Sequence, residues 1–88
     1  MKKVVNVTEV DGEGFEALLG ENVILLCANY IYIGTLTGVN KDFVQLTTPS
    51  IVYETGAWNV RDYKDAQKLH TDILYVMISA IESFGKGK

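Results

Sequence analysis

The chain has 88 residues, of which 48% are hydrophobic and 22% charged, and its formal net charge is −3. This composition is typical of one small globular domain and not of a disordered chain. The acidic balance argues against a protein that binds duplex DNA through a broad basic face. It leaves room for a local site for single strands, where base stacking contributes much of the free energy.

The single cysteine, Cys27, cannot form an intrachain disulfide, so the sequence predicts a reducing compartment, with the cytoplasm as the simplest choice. The longest apolar run, Val23 to Ala28, is far shorter than the roughly 20 residues that a membrane-spanning helix needs. We therefore expect neither a membrane nor duplex DNA as a partner.

The first twenty residues predict two short elements. Residues 1–11 form an N-terminal extension, in which Val4 to Val10 is rich enough in valine to form a leading strand. Residues 12–20 predict about two turns of amphipathic helix, because Phe15, Leu18 and Leu19 have the i, i+3, i+4 spacing. Gly20 is placed to end that helix.

Residues 21–54 predict three strands of a bent sheet. The segments NVILLC and YIYIGTLTGV show no polar face, so both faces of the sheet need cover, either by curling or by another subunit. Gly34 and Gly38 lie inside the second strand, where glycine often marks a bend or a bulge. The third strand starts at Phe43 and continues past Pro49, where proline again indicates an edge or a bulge.

Residues 55–71 predict a polar, variable loop with one or two helical turns between Asp62 and Leu69. In this loop we expect Trp58 to fold back over the end of the sheet, although Trp58 and Arg61 could also form a stacking pair. Residues 72–85 contain ILYVMISAIESF, an apolar block that predicts two strands broken near Ser79. An open edge of that kind invites aggregation, whereas pairing with a neighbouring copy satisfies it and can close a ring.

This order of parts resembles the Sm-like (LSm) family, and is most similar to its small bacterial and phage members. The resemblance covers roughly residues 12–85. Its strongest part is GENVILLCANYIYIGTLTGVNKDFVQL, with Gly34-Thr35-Leu36 as the glycine-x-leucine core. PSIVYETG is similar to the far end of the family's third strand, and residues 76–84 stand where its second motif lies.

The resemblance implies a mostly β fold: a single Sm-like domain with a short N-terminal helix and a strongly bent five-stranded antiparallel sheet, which is a small SH3-like open barrel. It also implies a homo-oligomeric ring of roughly five to seven copies, joined through the last two strands of neighbouring subunits. The expected interface residues are Ile73, Tyr75, Met77 and Ile81.

In the family, the loop after the second strand carries an aspartate, a stacking residue and an asparagine that hold an RNA base. An alignment without a gap places Asn40, Asp42 and Val44 there, and neither the aspartate nor the valine suits its role. One extra loop residue places Lys41, Phe43 and Gln45 there instead. We favour this second register, because it puts Phe43 and Gln45 together on the face opposite the core.

The expected function is the binding of single-stranded RNA through Asn40, Lys41, Phe43 and Gln45. Met77-Ile78 stands where the family usually has arginine and glycine, so the guanidinium that would bind phosphate or a base is missing. Together with the acidic charge, this favours an alternative: a ring that serves as a scaffold for protein assembly and has lost the RNA pocket.

The sequence predicts no enzyme, no metal and no cofactor. His70 is the single histidine, and with Cys27 it supplies too few ligands for a zinc site. No serine or cysteine has a recognisable base nearby in the sequence pattern.

Overall fold

The computed structural model describes residues 14–60 and 62–87. The predicted leading strand and the rest of residues 1–13 lie outside this part, as do Arg61 and Lys88. The described chain is mostly β and forms an antiparallel sheet of six strands that does not close into a barrel. The strands are β1 (Asn22–Cys27), β2 (Ile31–Val39), β3 (Phe43–Glu54), β4 (Asp65–Lys68), β5 (Ile73–Met77) and β6 (Ile81–Lys86). Two 3-10 helices, Glu16–Leu18 and Ile78–Ala80, complete the fold.

The order of the strands in the sheet is β4-β3-β2-β1-β6, and β5 also pairs with β3. β2 lies along one edge of β3, while β5 and β4 share the other edge. β5 pairs with the first half of β3, from Phe43 to Thr47, and β4 pairs with the second half, from Ser50 to Glu54. The two last strands therefore lie far apart in the order of the sheet, although only the second 3-10 helix separates them along the chain.

A bulge bends β3 in its middle. Ile33 is paired with Ser50 and Thr35 with Thr47, so Thr48 and Pro49 both lie opposite Gly34. Thr48 has a φ of 50°, which is an outlier for a β-branched residue and indicates strain at the bend. The prediction that Gly34 and Pro49 mark a bulge is confirmed.

The hydrophobic core lies on the inner face of this bent sheet. Its fully or almost fully buried side chains are Val23, Leu25, Leu36, Val44, Leu46 and Val76. Val44 and Leu46 alternate with the partly exposed Phe43 and Gln45, as the favoured register predicts. The outer face is only half covered, since Ile24 and Leu26 of β1 are partly exposed.

The predicted two-turn helix over residues 12–20 is not shown. From Gly14 onward the chain forms one short 3-10 helix, in which the Leu18 N–H donates to the Phe15 carbonyl oxygen at 3.0 Å. A 3-10 turn places residues i and i+3 on one side, so Phe15 and Leu18 both pack against the core. Gly20, with a φ of 86°, lies just beyond this turn.

The prediction of helical turns between Asp62 and Leu69 is wrong, because this stretch contains β4. The second half of β3 has backbone N–H and carbonyl groups that need partners, and residues 65–68 supply them. The prediction that Trp58 folds back over the sheet is also wrong, since its side chain is 64% exposed. Within residues 14–60 and 62–87, no helix is long and apolar enough to cross a membrane.

The bend at Gly34 can be tested by adding a methyl group. A Cβ there would lie 3.2 Å from the Thr47 carbonyl oxygen and 3.3 Å from both Leu46 Cβ and Pro49 Cα. Since two of these atoms belong to the backbone, we expect Gly34→Ala to lower the free energy of unfolding by about 1–3 kcal/mol, measured by urea denaturation.

Gly38→Ala is the matched control, because its added Cβ would meet only the Gln45 side chain, at 3.4 Å or more. Equal stability of the two variants would contradict the close approach at Gly34.

Candidate nucleic-acid interface

The β2–β3 loop and the second 3-10 helix meet at one end of the sheet. The Ile78 N–H donates a hydrogen bond to the Asp42 carbonyl oxygen at 2.9 Å, and Phe43 is paired with Met77 across β3 and β5. The fold thus brings together the loop at which the sequence predicts RNA contacts and the segment that stands at the family's second motif. They are more than 30 positions apart in the chain, and the pairing of β3 with β5 joins them.

Asn40 organises the β2–β3 loop. Its side-chain oxygen accepts hydrogen bonds from the backbone N–H groups of Asp42, at 2.8 Å, and Phe43, at 2.9 Å. Its own N–H donates to the Phe43 carbonyl oxygen at 3.0 Å. This is an Asx turn, in which a short side chain replaces backbone partners in the loop. The oxygen of Asn40 is therefore occupied within the loop, and its NH₂ group is the part that could meet a ligand.

Phe43 and Tyr75 form an aromatic pair on the outer face of β3 and β5. Their ring centroids lie 5.0 Å apart with an angle of 73° between the planes, an edge-to-face arrangement. Phe43 is half-buried, whereas Tyr75 is 57% exposed. Tyr75 is thus the more accessible ring, although the sequence predicts a role for it only at the subunit interface.

Gln45 belongs to a polar network on the same face. Its Nε2 donates to the Thr37 hydroxyl at 3.0 Å, and the Thr37 and Thr47 hydroxyls share a hydrogen bond of 2.8 Å. The network orients the Gln45 amide beside the Phe43–Tyr75 pair. Sequence reasoning missed Thr37 and Thr47. Alternation along β3 does place Thr47 on the same face as Gln45, but the bulge at Thr37 breaks the alternation in β2.

The electrostatics of the site are weak. Lys41 is exposed at the tip of the loop, but the neighbouring Asp42 is exposed as well and carries the opposite charge. Met77 and Ile78, across from the loop, are apolar. Stacking and hydrogen bonds, rather than phosphate attraction, would have to supply most of the affinity for RNA at this site.

The predicted interface residues fall into two environments. Ile73, Tyr75 and Met77 are 42%, 57% and 54% exposed, and all three point away from the core, whereas Ile81 packs against the core. Among the described residues, β5 pairs only with β3 and β6 only with β1, so each of these strands has one edge without a strand partner.

The remaining reactive side chains do not gather into a site. Burial raises the pKa of the Cys27 thiol, which keeps it protonated and a poor nucleophile near neutral pH. His70 is exposed. Over the described ranges, no group of three or more His, Cys, Asp or Glu residues could hold a metal ion.

Comparisons of the chain with protein-family models, with curated proteins and with solved structures gave no match. The likeness to Sm-like proteins therefore stays a prediction from the sequence motifs.

The role of Asn40 in the loop gives a test of stability. Asn40→Ala removes the acceptor of two backbone hydrogen bonds, so we expect a loss of about 1–2 kcal/mol in the free energy of unfolding. Asn40→Asp keeps an oxygen acceptor at the same place and should remain close to the wild type in urea denaturation. If Asn40→Ala matched Asn40→Asp, the Asx turn would contribute nothing to the folded state.

Proposed function

We propose that this protein is an Sm-like subunit that assembles into a homo-oligomeric ring and binds single-stranded RNA where the β2–β3 loop meets the second 3-10 helix. The observation that carries the proposal is the hydrogen bond between Asp42 and Ile78, with the pairing of Phe43 and Met77 beside it. These contacts make one surface of the two segments that the resemblance assigns to RNA.

The chemistry of that surface supports a ligand with exposed bases. Phe43 and Tyr75 provide aromatic surface, and stacking on such rings contributes about 1–3 kcal/mol per base. The amides of Asn40 and Gln45 can bond to base edges, and Lys41 can reach a phosphate. Duplex RNA hides its base edges and stacked faces, so a single strand is the form that suits this surface.

The unpaired edges of β5 and β6 support the assembly. The edge of β5 and the edge of β6 belong to different ends of the sheet, so the contact of one copy's β5 with another's β6 joins two unlike surfaces. Repetition of such a contact produces either a closed ring or an open filament. The exposed apolar side chains of β5, which are Ile73, Tyr75 and Met77, would be covered at least in part by the neighbouring copy.

One observation favours a second candidate, an assembly scaffold without RNA. Met77 and Ile78 place apolar side chains where a cation would bind phosphate, and Asp42 lies next to the one cation of the loop. On this hypothesis the exposed face of β5 binds a protein, and the polar network around Gln45 only stabilises the sheet.

RNA binding can be measured by fluorescence anisotropy with short labelled oligo-U and oligo-A over a series of salt concentrations. We expect the wild type to bind at least one of them, and Phe43→Leu to bind about 5- to 150-fold more weakly. This range corresponds to the loss of one stacking contact. Leucine keeps an apolar side chain at this position, so the fold should persist.

Tyr53→Leu is the control, because it removes an aromatic ring from the same strand, on the second half of β3 and away from the loop. It should bind RNA like the wild type. No binding by the wild type even at low salt would eliminate the RNA function and leave the scaffold.

The assembly can be tested by light scattering. We expect a mass several times the 9.8 kDa of the chain for the wild type. The double variant Tyr75→Lys, Met77→Lys should be monomeric, because charges on an edge strand oppose pairing. It keeps β6 unchanged, so excess double variant should also cap the wild-type contacts and reduce the mass of wild-type assemblies.

Tyr53→Lys introduces one positive charge away from β5 and β6 and should leave the mass unchanged. A monomeric wild type would contradict the assembly. Wild-type dimers whose mass does not change when the double variant is added would indicate a symmetric β5–β5 contact instead of a ring.

A further inference from the structure

A cavity of about 200 Å³ lies between the β1–β2 turn and β5, and tyrosine rings are prominent in its lining. Tyr30 lines it from the β1–β2 turn, Tyr32 from the start of β2, and Tyr75 from β5. Cys27 and Met77 also line the cavity, and none of the described residues that line it is charged. The cavity is separate from the proposed RNA surface, except that Tyr75 belongs to both.

The geometry of the rings suits a ligand that is surrounded on several sides. The centroids of Tyr30 and Tyr32 lie 6.2 Å apart, and their planes meet at 53°. Tyr75 also lines the cavity, and its ring makes an edge-to-face contact with Phe43. Two rings that are not parallel can form adjacent walls of a cage, whereas parallel rings would form a slot for a flat ligand.

The charge of the cavity selects among ligands. The face of an aromatic ring carries partial negative charge and attracts cations, and the whole chain has a net charge of −3. Burial raises the pKa of Tyr32, so its phenol stays neutral at pH 7. A small, strongly hydrated cation would lose its water without a carboxylate to replace it. A methylated ammonium group is weakly hydrated, has an apolar surface and is still positive, so it fits both the rings and the absence of a carboxylate.

We propose that this cavity binds methylated ammonium groups by cation–π contact with Tyr30, Tyr32 and Tyr75. The ligand chemistry is a quaternary ammonium, which occurs both in trimethyllysine side chains and in choline. The proposal does not depend on RNA binding. The cavity borders the β5 edge at which we propose that the neighbouring subunit binds, so the mass of the assembly has to be followed during the titration.

The test is a titration of the ¹⁵N-labelled protein with choline chloride, followed by NMR, with sodium chloride at equal concentration as the reference. The neutral carbon isostere 3,3-dimethylbutan-1-ol has the same shape without the charge. We expect saturable shifts at residues 28–32 and 75–77 with choline, and a dissociation constant about tenfold larger for the isostere. Equal affinity for both, or no saturable shift with choline, would overturn the proposal.

Variants of Tyr30 separate the ring from the rest of the cavity. Tyr30 is 53% exposed, so its replacement should not disturb the core. Tyr30→Phe keeps the ring and should bind choline nearly as well as the wild type, whereas Tyr30→Leu should bind several-fold more weakly. Tyr53→Leu, which changes a tyrosine outside the cavity, should have no effect. An unchanged dissociation constant in Tyr30→Leu would refute the cation–π contact.

Two further measurements identify the source of the ligand and keep the proposals apart. N-acetyl-trimethyllysine amide binding more tightly than choline would indicate a methylated protein as the natural source, and the reverse order would indicate a choline compound. Both results support the cavity. The RNA anisotropy of Tyr30→Leu should equal that of the wild type, so a failure of RNA binding and a failure of choline binding are read from separate experiments.

Discussion

The bend of β3 at Thr48 and Pro49 determines where the rest of the described chain lies. On one side of the bend β3 pairs with β5, and on the other side it pairs with β4. The segment that joins these two strands is bonded to the bend itself: the Leu69 N–H donates to the Pro49 carbonyl oxygen, and the Thr48 N–H donates to the Asp72 carbonyl oxygen, both at 2.9 Å. The close approach of Gly34 from β2 makes room for the two bulged residues. The strained φ of Thr48 is thus compensated by contacts from β2 and from the segment between β4 and β5.

This bend also separates two regions with different chemistry. The first half of β3 carries Phe43 and Gln45 and begins directly after the loop that contacts the second 3-10 helix. The second half carries the exposed Tyr53 and leads to a loop with the exposed Trp58. Tyr75 lies on the side of the first half, where it contacts Phe43 and also lines the tyrosine cavity. The proposed RNA surface and the proposed ammonium site therefore share Tyr75. A ligand that moves the Tyr75 ring at one site would change the geometry of the other.

The sequence predicted the features that depend on side-chain patterning. Val44 and Leu46 alternate with Phe43 and Gln45, and this period alone is enough to assign the buried and exposed faces. Gly34 and Pro49 indicated the bulge because few other residues tolerate the backbone geometry and the close contact that a bulge requires. The break between the last two strands was predicted near Ser79 and lies within the second 3-10 helix.

The features that escaped prediction depend on partners distant in the chain. Nothing in DAQK favours a strand, and β4 forms because the second half of β3 leaves backbone groups to satisfy. The 3-10 turn at Glu16–Leu18 has the same apolar spacing as a short α-helix, so local pattern cannot separate the two. Tyr75 was assigned to the subunit interface from the resemblance, and its contact with Phe43 was not predicted. That contact depends on the register between β3 and β5, which a single sequence does not reveal.

The formation of β4 depends very little on its side chains. All four of its side chains are exposed, and it contributes to the fold only through the backbone bonds that it makes with β3. Natural selection can therefore replace Asp65, Ala66, Gln67 and Lys68 almost freely, provided that no proline removes a bonding N–H group. Over long divergence this segment should lose its sequence identity while the strand persists. Relatives of this protein are better traced through the constrained residues around the bend than through the stretch that follows it.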